Sequence, residues 1–337
     1  MTVTISDVAK RAGVSSAAVS MVLSGQYKGR VSAKRAEVIQ KAAKELGYVG
    51  NSLAGSLRTK KTNTLGFISD VVASTPYAYA MVAAANRRAN ELGYLLLISE
   101  TGGDPKATQD VFSTLMAQQV SAIAYASMYH QAITLPEFRP KNLVVLDGYA
   151  TDEDVISVVP DEVGGAKTAI NHLIELGHRK IGFINDRYSV DAGPMRLEGY
   201  YKALAEAGIE YRDEYVVHSL IENPEVDAAA HELLTLPDRP TAIFCFNDAT
   251  AAGVYRAARR LGLSIPDDVS VVGFDNFLPI ATNLEPQLTT MQLPHEQMAT
   301  WVIDHLVKNL ESPAEEIEQR RIQFDCPLVQ RGSTKAI

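Results

Sequence analysis

Cysteine is nearly absent: the 337 residues hold only Cys245 and Cys326, each beside apolar or aromatic neighbours. Two such residues make neither a disulfide framework nor a metal-ligand spacing, and they suit a reducing compartment. Long apolar runs are missing as well, none approaching the roughly 18 to 20 residues of a membrane helix. Met1-Thr2-Val3-Thr4 lacks the charged region and apolar core of a secretory signal, so the expected location is cytoplasmic, with no membrane partner. Gly102-Gly103 and Gly164-Gly165 stand without the spacing of a phosphate loop or a dinucleotide fingerprint. The seven histidines form no metal motif, and no pair of carboxylates is set apart for acid–base work. These gaps point away from an enzyme and call for no cofactor and no metal.

What is present is an uneven charge. The net −8 divides into eleven Lys and Arg against three acids before Thr62, a charge of +8, leaving −16 for the remainder. A basic head on an acidic body suits a head that meets polyphosphate and a body that does not.

The head reads as three helices. Thr4-Ile5-Ser6-Asp7 is a capping box opening a short helix with Val8, Ala9 and Ala12 inward, and Gly13 ends it. Ser15 or Ser16 caps a second helix, Ala17 to Leu23, with Val19, Val22 and Leu23 inward. Ser32 caps a third, ending at Leu46-Gly47, with Val38, Ile39, Ala42 and Leu46 as its apolar stripe. Two short helices across a three- or four-residue turn, supported by a third, make a helix-turn-helix, whose second helix enters the major groove. Spacing alone also fits a helical hairpin in any small bundle.

The run Thr4-Ile5-Ser6-Asp7-Val8-Ala9-Lys10-Arg11-Ala12-Gly13-Val14-Ser15, continued by Val19-Ser20-Met21-Val22-Leu23-Ser24-Gly25, resembles the start of the LacI/GalR family of repressors. Asn51-Ser52-Leu53-Ala54-Gly55-Ser56-Leu57-Arg58 after Gly47-Tyr48 is similar to that family's hinge, and the resemblance covers essentially the whole chain. It implies base reading by Ser16, Ala17 and Met21, and phosphate contacts by Ser15, Ser20 and Tyr48. It also implies that Leu57 wedges between base steps in the minor groove, beside a small Ala54. Ala17 and Met21 cannot make the bidentate hydrogen bonds of a Gln or Arg, so readout is expected to lean on methyl contacts, the hinge and DNA deformability. The partners implied are a pseudo-palindromic operator in double-stranded DNA, a small-molecule effector and a second copy of the chain in a homodimer. The effector expected is a sugar or sugar derivative, with nucleobases and nucleosides also open. A cytosolic solute-binding protein without regulatory DNA binding is the alternative.

From Leu65 onward, apolar strand-like runs alternate with helical stretches that end in Leu-Gly, as at Leu92-Gly93, Leu176-Gly177 and Leu261-Gly262. Such alternation implies parallel sheets covered on both faces, and a break near Pro160-Asp161 implies two of them. The expected fold class is a small all-α helix-turn-helix domain plus an α/β body of two doubly wound parallel-sheet subdomains, periplasmic-binding-protein-like by resemblance. The divisions expected are a head over 1–49, a hinge and linker over 50–62, and an effector-binding and dimerisation domain over 63–337. Within the last, one subdomain takes about 63–160 and 292–323 and the other about 161–291 and 324–337, with crossings near Asp161, Met291 and Phe324.

Ligands in such sheets sit beyond the carboxyl ends of the strands. Asp70, Asp147 and Asp275 each follow an apolar run, and Asn247-Asp248 follows Phe244-Cys245-Phe246. Carboxylates and amides suit adjacent hydroxyls, and Arg196 adds a planar fork of donors. Tyr77, Tyr125 and Phe246 are candidates to cover a sugar ring or simply to fill the core, while Asp248 reads first as a helix cap. The resemblance carries Arg196, Asn247 and Asp275 onto the family's recurrent effector contacts, together with Asp70, Tyr125 and Asp147.

Overall fold

The computed structural model describes residues 3–23, 27–48, 62–76, 78–187, 191–220, 225–312 and 320–337. Contacts divide the chain into a unit ending at Thr62 and one beginning at Asn63.

In the first unit, Asp7 and Thr4 cap each other reciprocally: Asp7 N donates to Thr4 Oγ1 at 3.3 Å and Thr4 N donates to the Asp7 carboxylate at 2.9 Å. That opens α1 (Ile5–Ala12), which Gly13 closes at a φ of 65°. Ser15 caps α2 (Ser16–Leu23) by accepting from Ala18 N at 3.2 Å. Ser32 caps α3 (Ala33–Leu46) by accepting from Arg35 N at 3.4 Å. Val8, Val19, Val22 and Ile39 meet at the centre, with the small Ala9, Ala36 and Ala42 letting the helices approach. Two expected core residues face outward instead: Val38 is 47% exposed and Leu23 39%. The inward stripe of α3 runs through Ala36, Ile39, Ala42 and Ala43, which turns Val38 toward solvent.

The second unit holds two six-stranded sheets. The first takes β1 (Thr64–Ser69), β2 (Leu95–Glu100), β3 (Ala122–Ala126), β5 (Leu143–Leu146), β7 (Ile156–Pro160) and β13 (Arg321–Phe324), in the order β13-β7-β5-β3-β1-β2 and all parallel. At its carboxyl end β4 (Ala132–Ile133) and β6 (Tyr149–Ala150) form a separate two-stranded ladder. Successive side chains leave a strand on opposite faces. Phe67 accordingly joins α4 (Tyr79–Glu91) and α11 (His295–Glu311) through Met81, Val302 and Leu306, while Ile68 joins α5 (Pro105–Ala117) through Phe112.

The second sheet takes β8 (Ile181–Asp186), β9 (Val216–Ser219), β10 (Ala242–Cys245), β11 (Ser270–Asp275), β12 (Thr289–Gln292) and β14 (Leu328–Val329), in the order β14-β12-β11-β10-β8-β9. It departs from the parallel expectation at one edge, where β14 runs antiparallel to β12. Phe183, Tyr200, Phe244 and Phe274 pack on one face with α6 (Glu162–Glu175) and α7 (Ala192–Glu206). Ile184, Ile243, Cys245 and Val271 pack on the other with α8 (Glu225–Leu234) and α9 (Asp248–Arg260). The short α10 (Leu278–Ala281) follows β11. Where α6 and α7 cross, a side chain on Gly199 would place its Cβ 2.3 Å from the carbonyl oxygen of Val163.

Each sheet begins with its first strand between its second and third, so the strand order reverses beside β1 and again beside β8. The crevice outside the carboxyl ends at that reversal is where such folds hold ligands. The chain leaves the first sheet after Pro160, returns after Gln292 to form α11 against it, and leaves again after Phe324. Among the described residues no helix is long and apolar enough to cross a membrane.

Candidate functional site

On the head, the faces of α2 are sharply divided. Val19 and Val22 are buried, while Ser15, Ser16, Ala17 and Ser20 are exposed and Met21 and Tyr48 are half-buried. The second helix of the motif thus presents hydroxyls, a methyl and a thioether, with no charge of its own. Lys10, Arg11, Lys28, Arg30, Lys34 and Arg35 are exposed on the elements around it. Ala54 and Leu57 lie outside the described residues, as does Tyr77.

In the body, carboxyl ends of both sheets contribute to one small cavity. Asp147 follows β5 and Asp275 ends β11, both in left-handed backbone, at φ of 61° and 108°. A non-glycine residue held there costs energy that the surrounding structure must offset, and such residues concentrate at ligand sites. Asn247 follows β10 as the N-cap of α9, accepting from Thr250 N at 2.9 Å. Arg196 reaches in from α7, Glu162 from the first turn of α6, and His295 from the start of α11.

Arg196 is almost wholly enclosed. Its Nε donates to Glu162 at 2.7 Å and its Nη1 donates to the carbonyl of Phe246. Its guanidinium carbon lies 3.7 Å from the Phe274 ring centroid and 4.4 Å from that of Phe246. A planar, weakly hydrated cation between two aromatic faces keeps its charge where an ammonium would not. His295 Nε2 lies 3.3 Å from the Asp147 carboxylate. Burial opposes charge on His295, yet Asp147, Asp275 and Glu162 outweigh it and hold the imidazole above its usual range. Burial pushes the Asp147 carboxyl up while His295 pulls it down. Burial raises Asp275 well above the carboxylate range, against the pull of Arg196. Among the described residues no group of His, Cys, Asp and Glu is arranged to hold a metal ion.

Four of the six effector residues expected from sequence therefore share this cavity: Asp147, Arg196, Asn247 and Asp275. Asp70 and Tyr125 instead line a separate one beside Thr108 and Gln131. The Asp70 carboxylate accepts from Met128 N at 2.9 Å and Ser127 Oγ at 3.3 Å, so it serves the backbone at the end of β3. Strand alternation sends Tyr125 toward α5, where it stacks on Phe112 at 6.3 Å between centroids. Asp248 is not the cap: Asn247 is, and the buried Asp248 accepts from Phe277 N at 2.6 Å and Thr290 Oγ1 at 2.5 Å. Burial pushes its carboxyl up to about 7. Phe246 supplies a carbonyl and a ring to Arg196, so it positions the arginine. Sequence reading missed Glu162 and His130 in the cavity wall and Phe274 against Arg196, although Glu162 stands two residues beyond the Pro160 break between the sheets.

Comparison with known proteins matches residues 4–51 to the family "Bacterial regulatory proteins, lacI family" and residues 170–334 to a periplasmic binding protein-like domain. The ribose operon repressor of Escherichia coli is 32% identical over 335 residues, covering 98% of this chain and 99% of that protein. The transcriptional repressor PurR of Serratia proteamaculans is 33% identical, covering 98% and 96%. The structure of the lac repressor dimer bound to operator and an anti-inducer superposes with a TM-score of 0.81 at 25% identity, covering 100% of both chains. With a capped helix-turn-helix, two doubly wound sheets and full-length similarity to these repressors, the chain belongs to the LacI family and is a transcriptional regulator with a DNA-binding head and a ligand-binding body, not an enzyme.

Proposed function

We propose that this regulator is a cytoplasmic repressor that pairs as a homodimer and sets two heads on a pseudo-palindromic operator. The division that goes with this reading is a head over 1–49, a hinge and linker over 50–62, and a sensing and pairing domain from 63, its two subdomains exchanging chain near Asp161, Met291 and Phe324. Ser16, Ala17 and Met21 read base edges, Ser15, Ser20 and Tyr48 hold phosphates, and Ala54 and Leu57 serve the minor groove. A sugar or sugar derivative binds among Asp147, Arg196, Asn247 and Asp275 and changes operator affinity. The observation that carries the sensing half is the cavity in which carboxylates from both sheets, two of them in strained backbone, face an aromatic-clamped arginine. A ligand there shifts the protein between states only as far as it prefers one of them.

The test is selection of bound sequences from random duplex DNA, followed by titration of the recovered sequence with candidate sugars. A palindromic sequence whose affinity changes by about fivefold or more with one sugar is the expected result. Affinity that never changes with any small molecule refutes the allosteric reading. Binding with a steep salt slope and no preferred sequence favours the solute-binding alternative.

A further inference from the structure

His130 lies in the loop after β3 and lines the same cavity. It is 2% exposed, and among the described residues neither of its ring nitrogens has a hydrogen-bond partner. A buried polar group without a partner is costly, and native structures retain one where it has a task. His178, in the same body, shows what a structural histidine looks like here: its Nδ1 lies 2.9 Å from Thr241 Oγ1, and its Nε2 lies 3.1 Å from both Ser270 Oγ and the Lys335 carbonyl. Both nitrogens of His178 are used; neither of His130 is.

The ring of His130 is nevertheless held in place. It packs edge-on against Tyr149 at 5.8 Å between centroids, with the planes 72° apart. Its carbonyl accepts from Asp191 N at 3.1 Å, across the cleft, and Tyr149 Oη donates to the Asp191 carboxylate at 2.5 Å beside it. Backbone and ring plane are fixed while the polar edge is unspent, which is the arrangement of a group prepared for a ligand.

We infer that His130 is a specificity-determining contact that reads the hydroxyl pattern of a neutral polyhydroxylated effector. The inference rests on the effector site proposed for this cavity and assigns it a residue and a charge class. Burial holds the imidazole below its usual range, against the pull of Glu162, Asp147 and Asp191 and with the help of Arg321. A neutral imidazole offers one donor and one acceptor, and so does each hydroxyl of a diol. A phosphate or carboxylate offers only acceptors and leaves half of that edge unmatched. Such an anion also finds the cations of the wall already engaged. Asp147, Glu162 and Asp275 face Arg196 and His295, and Arg196 has committed its Nε and Nη1 to Glu162 and Phe246.

The experiment is calorimetric titration of the full-length protein with D-ribose, D-arabinose, D-xylose, D-glucose, ribose 5-phosphate and hypoxanthine. The proteins compared are wild type, His130→Ala, His130→Asn and Asp275→Asn. A neutral sugar is expected to bind wild type more tightly than the phosphate ester or the base. His130→Ala should weaken that sugar by roughly tenfold to a hundredfold and flatten the preference among epimers. His130→Asn, which keeps a donor and an acceptor, should restore much of both. The unliganded thermal midpoint of His130→Ala should stay at or above that of wild type, which a structural histidine would not allow. Unchanged affinity and epimer preference in His130→Ala, with binding lost in Asp275→Asn, overturns the inference and leaves the effector site standing. Tighter binding of ribose 5-phosphate or hypoxanthine overturns the charge class or the hydroxyl reading. Failure of every neutral sugar to bind wild type overturns the inference together with the sugar reading of the site.

Discussion

At the scale of single residues, the buried pair between Arg196 and Glu162 has the largest consequence. Their side chains are 4% and 2% exposed, so neither charge has water to fall back on. Arg196→Met, which removes one partner and leaves Glu162 charged and enclosed, should destabilise the body by about 3–5 kcal/mol. Urea unfolding measures this, and adding Glu162→Gln should recover part of the loss. Histidine titration gives a second expectation. Burial holds His178 below the ordinary imidazole value of 6.5, and His172 beside it is held low for the same reason. Both take up protons more readily unfolded than folded, so their contribution is complete above pH 6.5 and is lost as pH falls through the folded-state values. The urea midpoint should fall below that pH, and His178→Asn should make the fall shallower. Asn247 and Asp275 were legible in sequence because each sits at a strand end, where the fold opens its crevice, whereas Arg196, on α7, came from the family resemblance. Glu162 and His130 were not legible, because their roles depend on which loops and helices of the two sheets come to face one another.

At the scale of elements, helix caps and strand alternation were readable because their causes are local. Thr4 and Asp7 cap each other across three residues, and Phe67 and Ile68 separate to opposite faces by the strand's period of two. The ladder of β4 and β6 left no such trace, since two-residue strands carry no periodicity. Val38 was misread because either side of an apolar pair can face inward until the neighbouring helices choose. The contact between α6 and α7 supplies a test. With Gly199 backed by the Val163 carbonyl and the Ala166 methyl, Gly199→Ala must force the helices apart. A loss of about 1–3 kcal/mol in stability is expected, the usual cost of overpacking. A thermal midpoint equal to wild type would show that the crossing yields without cost.

At the scale of the whole molecule, the two units meet different partners through different forces. A first unit of charge +8 binds a polyanion largely by releasing counterions, whereas the effector proposed for the cavity, a neutral sugar, brings no charge. Raising salt from about 50 to 200 mM should lower operator affinity by about a thousandfold or more and leave sugar affinity nearly unchanged. Parallel salt slopes for both ligands would contradict that division. Fold class was legible at this scale because strand–helix alternation runs for most of the chain, while the antiparallel β14 was too short to read. The order in which the chain visits its sheets has a consequence for synthesis. The head is complete once about fifty residues have left the ribosome, but the first sheet waits for α11 and β13, the latter ending at Phe324. Until then the face that Val302, Ile303 and Leu306 will cover stays bare on the nascent chain. Ribosomes that stop shortly before His295 would release a product able to fold its head and unable to close its sensor, a natural client for chaperones and proteases.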